Sequence, residues 1–404
     1  MFLFGIGIVF LMALVAVLSR LRYGDPLYPP VMQAGVWATV LLVYLLSGST
    51  FDQVSYGALA VFGAGVLMFA AGAYAATWNF RPPHAEDDPL RGATMTRTRL
   101  LDLLFWANLF GLPLAVYEAW ELARQGPTES LLINLRIQET LTDPNAAHLW
   151  NYMVLLAVVS AGLHLLSEVS RLRVAAAIAT AAGYALLTTG RTWMLLLTLF
   201  LLGVAVMTGR VTARRAMAGG IAASALVFFA VALALGKGGR TGQPLDENLG
   251  GLGRALQVYV AGPLPAFDRF LHNAPPPARG EHMLRSVWAA TERLGFDTRP
   301  APLVQEFVEV PYPTNVYTLY RPYIEDLGLA GALAAPLLLG SLHGVLYRRA
   351  RSGSLLFVCL YALSLYPLVM QFFQDQYFSL LSQWLQMLAV VGVWFYLTPR
   401  NRFL

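Results

Sequence analysis

Apolar runs of about 17 to 23 residues recur along this 404-residue chain. That is the length needed to cross the hydrocarbon core of a bilayer. They fall at roughly 2–19, 30–48, 56–77, 100–119, 150–167, 174–189, 192–208, 216–236, 327–347, 354–373 and 378–397. The pattern predicts an all-α polytopic membrane protein with about eleven transmembrane helices. One long stretch breaks it. Residues 237–326 carry nine basic and ten acidic side chains between two apolar spans. The expected organisation is helices one to eight over 1–236, a large polar loop over 237–326, and helices nine to eleven over 327–404. Met1 to Ser19 has no basic n-region and no A-x-A cleavage site, so it reads as a retained span.

Charge then orients the spans. Only 13% of the residues are charged, against about 25% in a soluble domain. Arg20 and Arg22, Arg81 to Arg99, Arg171 and Arg173, Arg210 to Arg215, Arg348 to Arg351, and Arg400 and Arg402 all fall on one side. Basic residues in short loops beside span ends mark the cytoplasmic face. The amino terminus and the loops around 120–149, 190–191, 237–326 and 374–377 are therefore expected in the periplasm, and the carboxyl terminus in the cytoplasm. The net charge of +5 follows from this bias and is no argument for nucleic acid. A single cysteine, Cys359, excludes a disulfide framework. With no D-x-D pair and no spaced histidine cluster, neither a metal nor another cofactor is expected.

Polar chemistry concentrates in two outside segments. Residues 127–143 place Ile133, Ile137 and Leu141 at helical spacing, with Thr128 or Ser130 as the cap, and predict a short amphipathic helix on the membrane. The 237–326 loop opens with the glycine-rich Gly236 to Gly242. An interrupted helix is expected over 252–271, broken near Gly262-Pro263. A second amphipathic helix lies between Gly280 and Gly295, with Met283, Leu284, Val287, Trp288 and Leu294 against Glu281, Arg285, Glu292 and Arg293. Trp78, Trp120 and Trp150 stand at span ends, as interfacial aromatics do.

The loop ends in Asn315-Val316-Tyr317-Thr318-Leu319-Tyr320-Arg321-Pro322-Tyr323-Ile324-Glu325-Asp326-Leu327-Gly328, which runs into a glycine-rich span. This stretch resembles the bacterial oligosaccharide repeat-unit polymerases that build O-antigen and related surface polysaccharides. Thr189-Gly190-Arg191-Thr192 is similar to a second feature of that family, and Arg254 to Gly262 to a third. The resemblance implies a GT-C-like membrane glycosyltransferase of the inner membrane, with its active site facing the periplasm. Its donor is a glycan on undecaprenyl pyrophosphate and its acceptor a repeat unit on the same carrier. The acceptor's non-reducing-end hydroxyl attacks the anomeric carbon and releases undecaprenyl pyrophosphate, without a divalent metal. A chain-length regulator is the expected partner protein. The alternatives are an O-antigen ligase, which transfers the glycan to lipid A core, and a flippase or exporter.

Such chemistry calls for guanidinium groups at the pyrophosphate and a base at the attacking hydroxyl. Arg191, Arg321, Asp326 and His282 are the expected catalytic residues. Arg254, Arg240, Tyr259, Asn315, Tyr317 and Tyr323 are expected to bind substrate. Each has a structural alternative. Arg191 can anchor a span end, Arg321 can pair with Glu325 or Asp326, and Arg254 can face solvent. Asp326 can cap the following helix, His282 can face solvent, and the tyrosines can form an interfacial belt. Arg240 and Gly251 match an R-x10-G spacing that chance also produces at Arg81 and Arg269. Glu306, Glu309 and Asp375 are further carboxylates expected outside. His164 and His343 read as packed polar residues within spans.

Overall fold

The computed structural model describes residues 1–83, 88–139, 148–234, 245–278, 280–302 and 304–398, with backbone only at 227–234, 245–250 and 252. Fifteen α-helices are assigned among the described residues. The first nine are α1 (Phe2–Tyr23), α2 (Pro29–Leu46), α3 (Tyr56–Thr77), α4 (Arg99–Ala123), α5 (Leu131–Ile137), α6 (Leu149–Leu166), α7 (Arg171–Leu187), α8 (Thr192–Met207) and α9 (Ala213–Ala234). Then come α10 (Leu245–Ala261), α11 (Pro263–His272), α12 (Arg285–Arg293), α13 (Tyr320–Arg351), α14 (Leu355–Val369) and α15 (Leu381–Leu397). Helix makes up 72% and strand 2%, so the chain is essentially all-helical. Seven of the described helical segments are long and apolar enough to cross a membrane: α1 to α4, α6, α13 and Leu355–Phe372. Helices α8 and α15 are apolar but shorter. The chain is therefore a helical membrane protein; the count of eleven spans is a reading of the sequence.

Local signals explain many of these boundaries. Ser55, Thr98, Ser130 and Ser170 each cap a helix, accepting a backbone N–H from the residue three positions on. The expected break at Gly262-Pro263 separates α10 from α11, since proline at the first helical position starts a new helix. Trp150 departs from expectation. It is buried rather than interfacial, and its indole N–H donates to Glu139 at 2.7 Å.

Two compact units form. One comprises Met1–Asp87, Ala255–Ser352 and Tyr366–Trp384, the other Asp88–Arg254, Gly353–Leu365 and Leu385–Leu404. In the first, α3 and α13 lie backbone to backbone. A Cβ at Gly72 would stand 2.0 Å from the Leu337 carbonyl oxygen, and one at Gly340 would stand 2.0 Å from that of Phe69. Gly340 and Gly344 form the small-xxx-small spacing that lets membrane helices approach closely. Gly340→Val is accordingly expected to push the two helices apart and cost at least about 1–3 kcal/mol. A lower unfolding temperature of the detergent-solubilised chain would report it.

At one end of this unit Asp25 accepts from Tyr347 at 2.8 Å and from Arg351 Nε at 2.8 Å, tying α13 to the α1–α2 turn. In the second unit Asp102 of α4 is held by Arg97 at 2.8 Å and by Arg173 of α7. His164 and His343 are both fully buried. His164 Nδ1 lies 2.8 Å from the Ser160 carbonyl oxygen, and His343 Nε2 lies 2.9 Å from the Tyr377 hydroxyl.

One feature beyond the sequence reading shapes the site. The span expected from about Leu327 is preceded by a further helical segment from Tyr320, and α13 joins the two across a kink at Gly328, whose φ of 64° only glycine adopts freely. Arg321, Glu325 and Asp326 therefore sit on helical turns ahead of the apolar span.

Candidate active site

Arg321 and Glu325 are four residues apart on α13, which places them on one face. Arg321 Nε donates to Glu325 Oε1 at 2.8 Å. On the other side, Glu325 Oε2 lies 3.1 Å from His282 Nδ1. One buried carboxylate thus lies between a guanidinium and an imidazole. The Arg321 guanidinium also lies over the rings of Tyr317, at 4.1 Å, and Phe270, at 5.0 Å. His282 is raised above the usual histidine value, chiefly by the carboxylate of Glu325 beside it.

Asp326 serves the same cluster differently from expectation. It does not cap the following helix. Its two oxygens accept the backbone N–H groups of His282, at 3.2 Å, and Met283, at 2.7 Å. The carboxylate is buried, and it fixes the backbone that presents the His282 imidazole. Nearby, the Ala278 N–H donates to the Glu325 carbonyl at 2.6 Å, so Ala278, His282 and Met283 are all tied to the first turns of α13. Asp326→Asn leaves one acceptor oxygen for two donors. It is expected to cost about 1–3 kcal/mol, measurable as a lower unfolding temperature of the detergent-solubilised chain.

A cleft of about 80 Å³ opens over these groups. Arg285 and Arg321 contribute guanidinium groups and His282 an imidazole to its lining, while Gln305, Asn315, Thr318, Gln374 and Ser379 contribute neutral amides and hydroxyls. The wall opposite α13 is the turn after Met370–Phe372. It joins the 318 segment through Thr318 N–H to Phe373 O at 3.0 Å and Leu319 N–H to Gln371 O at 2.8 Å. Asp375 organises that turn. It accepts from Tyr323 Oη at 2.9 Å and from the backbone N–H groups of Tyr377, Phe378 and Ser379 at 3.1, 3.0 and 2.8 Å. Burial pushes the Asp375 carboxyl up against the pull of those hydrogen bonds.

The backbone is strained at this wall. Among the described residues, Thr318 and Thr189 are the non-glycine positions with positive φ, at 65° and 49°. A β-branched residue in that region is a genuine outlier, and such strain gathers where a site must be held in one geometry. Each threonine lies in one of the three motifs singled out from the sequence. Thr189 directly precedes Gly190-Arg191, and its hydroxyl donates to Glu139 Oε2 at 2.7 Å.

The chain is similar to O-antigen polymerases. A Shigella dysenteriae protein described as an O-antigen polymerase is 26% identical over 203 residues, 48% of this chain and 48% of its own length. An Escherichia coli (strain K12) protein, provisionally described as an O-antigen polymerase, is 26% identical over 148 residues, 36% of either chain. This chain spans about half the length, or less, of the curated relatives it matches. No family model matches it. No solved structure matches it either.

The expected site residues now separate. Arg321, His282, Asn315 and Tyr317 line the cleft, and Asp326 holds it from behind. Tyr323, expected to meet sugar, is fully buried and instead braces Asp375. Tyr317 is also buried. Its ring lies under Arg321 and its hydroxyl donates to the Glu306 carbonyl at 2.8 Å. Tyr259 stacks on Phe373 at 4.3 Å and is not part of the cleft lining. Arg191, at the cap position of α8, and the exposed Arg254 belong to the second unit. Arg240 lies outside the described residues. The sequence reading did not single out Arg285, whose Nε donates to the Ala301 carbonyl at 2.7 Å, or Gln305, Gln374 and Ser379. Glu325 was visible as the pairing partner of Arg321, but its link to His282 spans 43 residues and leaves no periodic signal.

Proposed function

We propose that this chain is a membrane glycosyltransferase that polymerises undecaprenyl-pyrophosphate-linked oligosaccharide repeat units. The Arg321–Glu325–His282 cluster at the floor of the cleft carries this reading. It supplies a cation for the leaving pyrophosphate and a carboxylate-oriented imidazole for the attacking hydroxyl. The similarity to proteins described as O-antigen polymerases supports it independently.

The reaction forms a bond between the acceptor's non-reducing-end oxygen and the donor's anomeric carbon. It breaks the bond between that carbon and the pyrophosphate oxygen. Arg321 is assigned to the charge that develops on the pyrophosphate, because a guanidinium keeps its charge and offers a forked set of donors. Its Nε is committed to Glu325, and the aromatic faces of Tyr317 and Phe270 hold its plane. His282 is assigned as the base. Its Nδ1 faces Glu325, which leaves Nε2 for the hydroxyl proton. The carboxylate then stabilises the imidazolium that forms, the logic of a base oriented by a third group. Asn315, Gln305, Gln374 and Ser379 offer neutral donors and acceptors to sugar hydroxyls.

Arg191, in the other compact unit, is proposed to bind phosphate of the lipid carrier, resting on its motif and on the strained Thr189 beside it. Arg254 and Arg240 are proposed to guide the anionic carrier. The reaction is placed on the periplasmic face of the inner membrane, in a GT-C-like architecture and without a divalent metal. Purified protein given synthetic undecaprenyl-pyrophosphate repeat units, with added lipid A core and EDTA, tests this. A size ladder on the lipid carrier is expected. Transfer to the core alone would make the chain a ligase, and no transfer from the cognate unit would sink the enzymatic reading.

A further inference from the structure

Helix α12 has no buried residue, and its Glu292 and Arg293 are exposed. Arg285 reaches the cleft lining, and the Trp288 carbonyl accepts from the hydroxyls of Thr291 and Thr298 at 2.9 and 3.1 Å. One exposed stripe along α12 and its two flanking residues is apolar. Leu284, Val287 and Leu294 follow one another at helical spacing, and all are exposed, Leu294 at 76%. Phe296, just beyond, is 63% exposed, and Phe307 further on is 70% exposed. Water is a poor neighbour for such a run, and an exposed patch of this kind marks an interaction surface.

The chain itself indicates what covers it. The segment is pinned to α13 where that helix turns lipid-facing. Asp326 holds the backbone of His282 and Met283, and the next residues along α13, Leu327 and Leu329, are exposed apolar side chains at the start of a membrane-length helix. Pro277 packs beside Gly328, where a Cβ would stand 3.5 Å from its Cγ. The amino-terminal approach to α12 is therefore fixed beside the exposed apolar start of the α13 span. We infer that the outward face of α12, with Phe296, lies in the adjoining lipid leaflet and anchors the roof of the cleft to the membrane. Arg285 and His282 then sit at the depth of lipid headgroups, where an interfacial helix rests. This goes beyond the proposed chemistry and holds whether or not that chemistry does.

Leu294→Cys and Phe296→Cys variants of the full chain, labelled with an environment-sensitive fluorophore in lipid nanodiscs, test it. Cys359 is buried, so the introduced thiol takes the label. Asp297→Cys, at an exposed polar position, is the reference. The expected result is loss of emission with doxyl-labelled lipid at 294 and 296 together with protection from aqueous iodide, and the reverse at 297. Iodide quenching at 294 and 296 equal to that at 297 would overturn the inference. So would protection from both quenchers, which would indicate a covering protein surface.

Discussion

Arg321→Ala is expected to lower the rate of glycan polymerisation by about 10²–10³-fold, the usual loss when one donor aimed at developing charge is removed. The fall should appear mainly in kcat, because the pyrophosphate gains charge as the glycosidic bond breaks. Arg321→Lys should recover only part of the rate. A lysine keeps the charge but loses the planar fork, the Nε bond to Glu325 and the stacking on Tyr317 and Phe270. Rates from a size-resolved assay at saturating lipid-linked substrate distinguish these outcomes. Equal activity in both variants and the parent would remove Arg321 from the chemistry.

The second large effect concerns Glu325. This buried carboxylate lies between the Arg321 guanidinium and the His282 imidazole, and Glu325→Ala leaves the guanidinium without its counter-charge. Breaking a buried pair in this way typically costs about 3–5 kcal/mol, so the variant is expected to be poorly folded. Glu325→Gln keeps the shape and isolates the electrostatics. His282 is raised above its ordinary value near 6.5 mainly through Glu325. A base works when neutral, so turnover should climb as pH rises through that raised value. In Glu325→Gln the limb should move to lower pH, with a lower plateau. The stability added by the pair runs the other way. It is fully present below the unfolded-state value of His282 and fades as pH rises through the folded one. A pH–rate profile that does not move in Glu325→Gln would exclude His282 as the titrating group.

The apolar runs carried most of the fold. Their lengths place helices close to where they occur, and Ser130 and Gly262-Pro263 mark boundaries the structure keeps. The site was less readable, for two physical reasons. The first is Gly328. An Asp ahead of a Leu-Gly-Leu run looks like a helix cap, yet helical turns continue on its amino-terminal side and bend at the glycine. This brings Arg321 and Glu325 onto one face and turns Asp326 toward residues 282 and 283. The second is sequence distance. The contacts from Glu325 and Asp326 to the 282 region, and from Thr318 to the turn at 373, cross 43 to 55 residues. Hydrophobic periodicity reports which face of a helix is apolar and is silent about which loop a carboxylate will hold. The aromatic residues were read for composition rather than placement. Tyr317 and Tyr323 are buried, the first under the Arg321 guanidinium and the second donating to Asp375.

The most direct test of the central claim asks where the reacting end of the substrate sits. A lipid-linked repeat unit carrying a small photoreactive group at its non-reducing sugar can be cross-linked to the wild-type protein in nanodiscs and the adducts mapped by mass spectrometry. Adducts within 301–322 and 374–380, competed away by unmodified repeat unit, are the expected result. Competed adducts confined to the second compact unit, with none on the cleft walls, would contradict the assignment of the Arg321 cleft as the site of glycan transfer.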